Sequence, residues 1–193
     1  VTATADTLIV TDLAADRGGR RVFGRVGFTV DRGGAVQVEG ANGAGKSTLL
    51  RVLAGLLPAA EGRINNPFVT ALAGHDTALK PGPTLASELT HWARLDGTDG
   101  SAVAAAAAAF ALTPLLELPA GFLSSGQRRR AALARVAASG AVLWLLDEPD
   151  AGLDTASKAL LAAAIAAHRG GGGIVVAVTH GDIGIADPQR VQL

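Results

Sequence analysis

The stretch Gly40-Ala41-Asn42-Gly43-Ala44-Gly45-Lys46-Ser47 has the residue types and spacing to hold a chain of phosphates. It fits the pattern G-x-x-x-x-G-K-[ST]. Glycines let a backbone wrap close to an anion because no Cβ stands in the way. The main-chain N–H groups from Asn42 to Ser47 can then form a nest around a β-phosphate. Lys46 reaches the β/γ oxygens, and the Ser47 hydroxyl suits Mg²⁺. Thr48 carries the chain into a helix whose positive N-terminal end faces the same anion.

Two further groups of residues could act on such a ligand. Asp147 and Glu148 follow an apolar run, at the end of a strand that faces the crevice where α/β sheets bind ligands. Asp147 can hold the cation, and Glu148 can polarise a water for in-line attack on a γ-phosphate. Taken alone, the pair could equally be acids opening a turn before Pro149. The stretch Leu123-Ser124-Ser125-Gly126-Gln127 starts a helix with a hydroxyl and bare N–H groups. It is either a second anion site or an ordinary helix cap. The run Arg128-Arg129-Arg130 that follows reads as a solvated helix face.

The elements that position these residues can be read from periodicity. Residues 8–13 and 26–30 look like strands, and a turn at 31–34 leads to another strand at 35–39. A helix is expected over 47–57, stopped near Pro58. An apolar run at 68–73 ends at Gly74-His75. Helical patterns then cover 84–95 and 102–112, and a further helix runs from Ser124 to about Gly140. Residues 141–146 read as a strand buried on both faces of a parallel sheet. Asp154 caps a helix expected over 155–168. A last strand, 174–179, delivers His180. The alanine-rich segment 101–116 reads as a soluble helix and not a membrane span, being interrupted by Thr113 and Pro114.

The fold class is α/β: a mostly parallel sheet flanked by helices, with an N-terminal antiparallel β lead-in and a small inserted helical subdomain. The 193 residues make one domain, divided into a core of 1–74 and 129–193 and an insert of 75–128. Acids and bases balance at 17 each, which gives no general field for nucleic acid. There is no cysteine, so disulfides, thiolate metal sites and thiol catalysis are excluded. No signal peptide is visible, and because methionine is absent even at position 1, the sequence is expected to be trimmed at its start.

In order and spacing, these motifs resemble the nucleotide-binding subunits of ATP-binding cassette (ABC) transporters. Gly40–Ser47 is similar to the Walker A loop, Leu123–Gln127 to the signature motif, and residues 142–147 with Glu148 to Walker B and its catalytic glutamate. Ala151-Gly152-Leu153-Asp154 is similar to the D-loop, and His180 to the switch histidine that contacts the γ-phosphate. The resemblance implies an ATPase using ATP and Mg²⁺ in a head-to-tail homodimer. Each ATP is held by one copy's Walker A residues (Gly40, Asn42, Gly43, Ala44, Gly45, Lys46, Ser47 and Thr48) and gripped in trans by Ser124, Gly126 and Gln127 of the other. Lys46, Glu148 and His180 form the implied catalytic set. Ser47 and Asp147 hold the cation.

The sequence departs from the family in several places. Ser125 stands where glycine is common, and Ala151 where serine or threonine is usual. Where the family has a glutamine that senses Mg²⁺, the chain reads Ala73-Gly74-His75-Asp76, so either His75 or Asp76 substitutes or the role is lost. No tyrosine is present to stack on adenine. Arg17 sits closest to that position, with Phe23 as a weaker alternative.

Within the family, Leu72-Ala73-Gly74-His75, Leu79-Lys80-Pro81, Leu89-Thr90-His91-Trp92-Ala93-Arg94-Leu95 and Arg17-Gly18-Gly19-Arg20-Arg21-Val22-Phe23 are similar to the haem-exporter ATP-binding subunits of cytochrome c maturation. So is Thr179-His180-Gly181-Asp182-Ile183, and the shortness of the chain, without a C-terminal regulatory domain, agrees. The implied partner is an integral membrane transporter subunit, and the implied location is peripheral, on the cytoplasmic face of the bacterial inner membrane. His91 and His168 are not read as haem ligands. An ABC ATPase for another cargo (drug, lipid or peptide) is the alternative, and a P-loop kinase outside the family a more distant one.

Overall fold

The structure, a computed structural model, describes residues 6–179 and 181–193. Two sheets are built from strands of opposite character. Long strands β1 (Thr7–Arg17) and β2 (Arg20–Asp31) pair antiparallel across a tight turn. Strand β3 (Ala35–Glu39) feeds the glycine loop and helix α1 (Lys46–Leu53). Strand β4 (Glu61–Asn65) then returns to the open side of β1. β4 was not expected from the sequence. It is a polar, largely exposed edge strand, so no apolar alternation announces it. Gly62 of β4 has φ +82, and a Cβ there would lie 2.4 Å from the Asp12 carbonyl oxygen, so this close approach needs glycine.

The second sheet is parallel, in the order β5 (Thr70–Ala73), β6 (Leu143–Asp147), β7 (Ile174–Val178), β3 and β8 (Gln189–Gln192). β6 and β7 are buried at every position, as continuous apolar runs in a covered parallel sheet should be. The polar edge strand β8 escaped the sequence reading for the same reason as β4. α1 stops at Leu53, not near Pro58. Gly55 takes φ +71 just past its end, and a glycine in that conformation closes a helix before any proline is reached.

Between β5 and β6 the chain leaves the sheet. α2 (Leu85–Leu95) is capped by Thr84, whose hydroxyl accepts from Ser87 N at 3.2 Å. α3 (Gly100–Ala109) is capped by Asp99, and α4 (Ser125–Ala138) by Ser124. These three helices pack against one another through Leu85, Leu89, Phe110, Leu112, Leu123 and Ala131. The boundary expected at 128/129 falls inside the continuous helix α4. α5 (Thr155–Gly170) is capped by Asp154 as expected, and it runs two residues past His168 into the glycine run.

Alternation along the parallel strands divides the core. Leu143, Leu145, Ile174, Val176, Val36 and Val38 face α1 and the antiparallel sheet, packing on Leu8, Leu13, Leu49 and Leu50. Trp144, Leu146, Val175 and Ala177 face the other layer. This parity matters for the site. Asp147, two residues past Leu145, falls on the α1 side.

Candidate functional site

The loop after β3 closes on itself before the helix begins. Ala44 N donates to Ala41 O at 3.1 Å, and Leu49 N makes a helical bond to Gly45 O at 2.8 Å. Gly45 has φ +100, and a Cβ on it would sit 2.4 Å from Val22 Cγ1. Lys46 is 7% exposed, and its ammonium donates to Gly40 O at 2.8 Å and Ala41 O at 3.0 Å. The charge is therefore folded across the mouth of its own loop. Strand parity then brings the acidic strand to the helix tip: Ser47 Oγ donates to Asp147 Oδ1 at 3.0 Å. Asp147 is 6% exposed.

A cleft of about 460 Å³ opens over this arrangement. Asn42, Gly43, Gly45, Lys46, Ser47 and Thr48 form one wall, Glu148 stands at one side, and Arg17 and Val22 close the other. Arg17 thus reaches the cleft, while Phe23 is buried at 6% exposure and is not available to a base. A larger groove of about 840 Å³ lies beyond Gly40. It is lined by Glu39, Asp182 and Asp187, whose charges would repel a phosphate chain, and Arg190 there is paired to Glu39 at 2.8 Å. The smaller cleft has the lining that suits a phosphate chain, with Lys46 and backbone N–H groups of the loop at its wall.

Glu148 adopts φ +47, and its N–H donates to Val178 O at 2.8 Å. A left-handed glutamate is uncommon and marks a backbone held by its surroundings. The sequence reading missed what holds it. Arg129, taken for part of a solvated face, is 6% exposed. Its guanidinium donates to Gly74 O at 2.7 Å, to Pro149 O at 3.4 Å, and to the carbonyls of Asp147 and Glu148. Burial pulls its pKa below the ordinary arginine value, while the carboxylates of Asp147, Asp150 and Glu148 push it back up. Its neighbours are half-buried and also bond to backbone carbonyls. Arg128 donates to Leu123 O, and Arg130 to Phe110 O at 2.7 Å and Ala111 O at 3.1 Å. Successive residues on a helix point about 100° apart, so three arginines in a row reach three different sets of carbonyls.

Other expected residues lie elsewhere. Ser124, Gly126 and Gln127 do not line this cleft. Ser124 is exposed at the tip of α4, where its hydroxyl accepts from Gln127 N at 3.2 Å and Gln127 Oε1 accepts from Ser124 N at 2.8 Å. This reciprocal cap fixes the shape of the tip. His75 is exposed after β5, outside the cleft lining. His180 lies outside the described residues. Among those residues no cluster of three or more His, Asp or Glu side chains forms a ready-made metal cage. The pair Ser47 and Asp147 still fits Mg²⁺, which takes one or two hard protein oxygens and completes its shell with phosphate and water.

Residues 23–151 match the model of the ABC transporter family. The chain belongs to that family. ABC transporter ATP-binding proteins are ATPases, and this one carries their P-loop fold. Among curated relatives it is 46% identical, over 92% of its length and 94% of theirs, to the cytochrome c biogenesis ATP-binding export protein CcmA of Mesorhizobium japonicum. It is 50% identical to the protein of the same description from Gluconobacter oxydans, over 90% of this chain and 81% of that one. Among solved structures, the ATP-binding subunit of an ABC transporter superposes with a TM-score of 0.82 at 25% identity, covering 90% and 79% of the two chains. A putative ABC transporter ATP-binding protein from Pyrococcus furiosus shares the fold at a TM-score of 0.85, covering 97% of each chain.

Proposed function

We propose that this ATPase powers the export step of a haem-handling complex in cytochrome c biogenesis, seated at the cytoplasmic face of the inner membrane against an integral membrane subunit. The relatives' description as cytochrome c biogenesis export proteins supports the cargo class. The single observation that carries the chemistry is the 3.0 Å hydrogen bond from Ser47 to Asp147, which joins the phosphate loop to the acidic strand beside Glu148.

ATP lies in the cleft with its phosphates along the loop N–H groups and its base against Arg17. Lys46 turns from the Gly40 and Ala41 carbonyls to the β/γ oxygens. Mg²⁺, held by Ser47 and Asp147, neutralises phosphate charge when bound. Glu148 accepts a proton from the water that attacks the γ-phosphorus, and the bond to the β-phosphate oxygen breaks to give ADP and phosphate. His180 would contact the γ-phosphate, and His75, exposed after β5, would stand in for the family's Mg²⁺-sensing glutamine. A second copy presents Ser124, Gly126 and Gln127 to the γ-phosphate, so an intact ATP closes the pair and hydrolysis opens it. The helical insert, moving together with the whole of α4, then shifts against the sheet core and passes this motion to the membrane subunit.

Deleting the gene in its host and measuring covalently assembled cytochrome c tests the cargo. Holo-cytochrome c is expected to disappear, to return with the wild-type chain, and not to return with Glu148→Gln. Normal holo-cytochrome c in the deletion strain would remove the cytochrome assignment.

A further inference from the structure

Among the described residues Arg129 is the buried guanidinium near the site, and the hydrogen bonds it makes there go to no carboxylate. Its acceptors are backbone carbonyls from two separate segments. Those of Asp147, Glu148 and Pro149 belong to the turn that carries the proposed base. That of Gly74 marks the point where the chain leaves β5 for the helical insert. Arg129 itself rides on α4, the helix whose tip is Ser124. One side chain therefore ties together the acid-bearing turn, the root of the insert and the helix that presents the second anion site.

The turn needs such a tie. Glu148 is left-handed at φ +47, and both peptides flanking it are gripped: Val178 O accepts from the Glu148 N–H, and Arg129 donates to the carbonyls of Asp147 and Glu148. A planar fork with five N–H donors suits several carbonyls at once, whereas a lysine ammonium offers one point of attachment. Released from the fork, the turn relaxes toward ordinary backbone angles and the Glu148 carboxylate shifts from the cleft it lines. Small misplacements of a reacting group are costly to rate even when binding is intact.

We infer that Arg129 is a positioning residue for hydrolysis: it sets the Glu148 carboxylate by clamping the 147–149 turn, and it makes that setting depend on where α4 stands relative to Gly74. The inference rests on Glu148 being the base, as proposed above. It places no contact between Arg129 and the nucleotide.

The test is a mutant cycle on the full chain, read as steady-state ATP turnover and as ATP affinity. Arg129→Ala is expected to lower kcat by roughly 30-fold or more while ATP affinity stays within about 3-fold, and Arg129→Lys to recover part of the loss. Placed on Glu148→Gln, Arg129→Ala should change the residual rate by less than about 3-fold, since no base remains to be misplaced. Should Arg129→Ala fail to fold, Arg129→Lys carries the same cycle, because it keeps the buried charge and loses the fork. The inference is overturned if a folded Arg129 variant turns over at the wild-type rate, if affinity and kcat fall in parallel, or if the Arg129 change slows Glu148→Gln as much as it slows the wild type. A Glu148→Gln chain that hydrolyses ATP normally sinks both this inference and the proposed base. A slow Glu148→Gln beside a fast Arg129→Ala sinks this one alone.

Discussion

A lysine left 7% exposed must find acceptors for its ammonium, and Lys46 finds them in the carbonyls of Gly40 and Ala41. Those bonds hold the charge at the loop mouth, where phosphate oxygens can replace the carbonyls without a new desolvation cost. Lys46→Ala should therefore weaken ATP binding about 10- to 100-fold, the worth of a hydrogen bond to a charged group, with the fold intact by circular dichroism. Titration calorimetry checks this, and unaltered affinity would move the phosphates elsewhere. The shape of this loop was legible in the sequence because its residues are contiguous and their glycines set its backbone. Arg129 was not. In a run of three arginines nothing local tells which one turns inward, and only the packing of α4 beneath the strand ends decides it. Asp147 falls between these cases: its place at a strand end was readable, and its meeting with Ser47 follows from strand parity.

The helix α4 does two things at once. Its buried face packs on α2 and α3, and its capped N-terminus stays exposed at Ser124 and Ser125. A structural helix start has no need of exposure, whereas a site completed by a second copy does. Ser124→Arg removes a cap worth about 1 kcal/mol, which a domain with two well-packed cores tolerates. It should leave ATP binding to the single chain within about 2-fold, yet lower turnover on the order of 100-fold, as loss of a transition-state donor does. Phosphate release measured at saturating ATP checks this, and unchanged turnover would refute a role in trans. The apolar strands and the capped helices were legible because burial and caps leave patterns in the sequence. β4 and β8 were not, since polar edge strands gain their pairing from neighbours that the sequence alone does not place. The early stop of α1 was readable in principle from Gly55, but the apolar pair Leu56-Leu57 extended the helical pattern past it.

At the scale of the whole molecule, the parallel sheet is covered on both faces, and the ends of its strands carry the residues of the proposed site. β7 separates the loop-bearing β3 from the acidic β6, which opens a crevice between them, and its end leads to position 180. No helix among the described residues is long and apolar enough to cross a membrane. Within one chain the Lys46 cleft and the Ser124 tip do not meet, because the tip is absent from the cleft lining. In the proposed mechanism two copies therefore surround each nucleotide. Glu148→Gln, expected to bind ATP and hydrolyse it slowly, should hold them together. Light scattering on that variant is predicted to give twice the single-chain mass with ATP and Mg²⁺ and the single-chain mass with ADP. A single-chain mass under saturating ATP, or the same doubling with ADP, would contradict it.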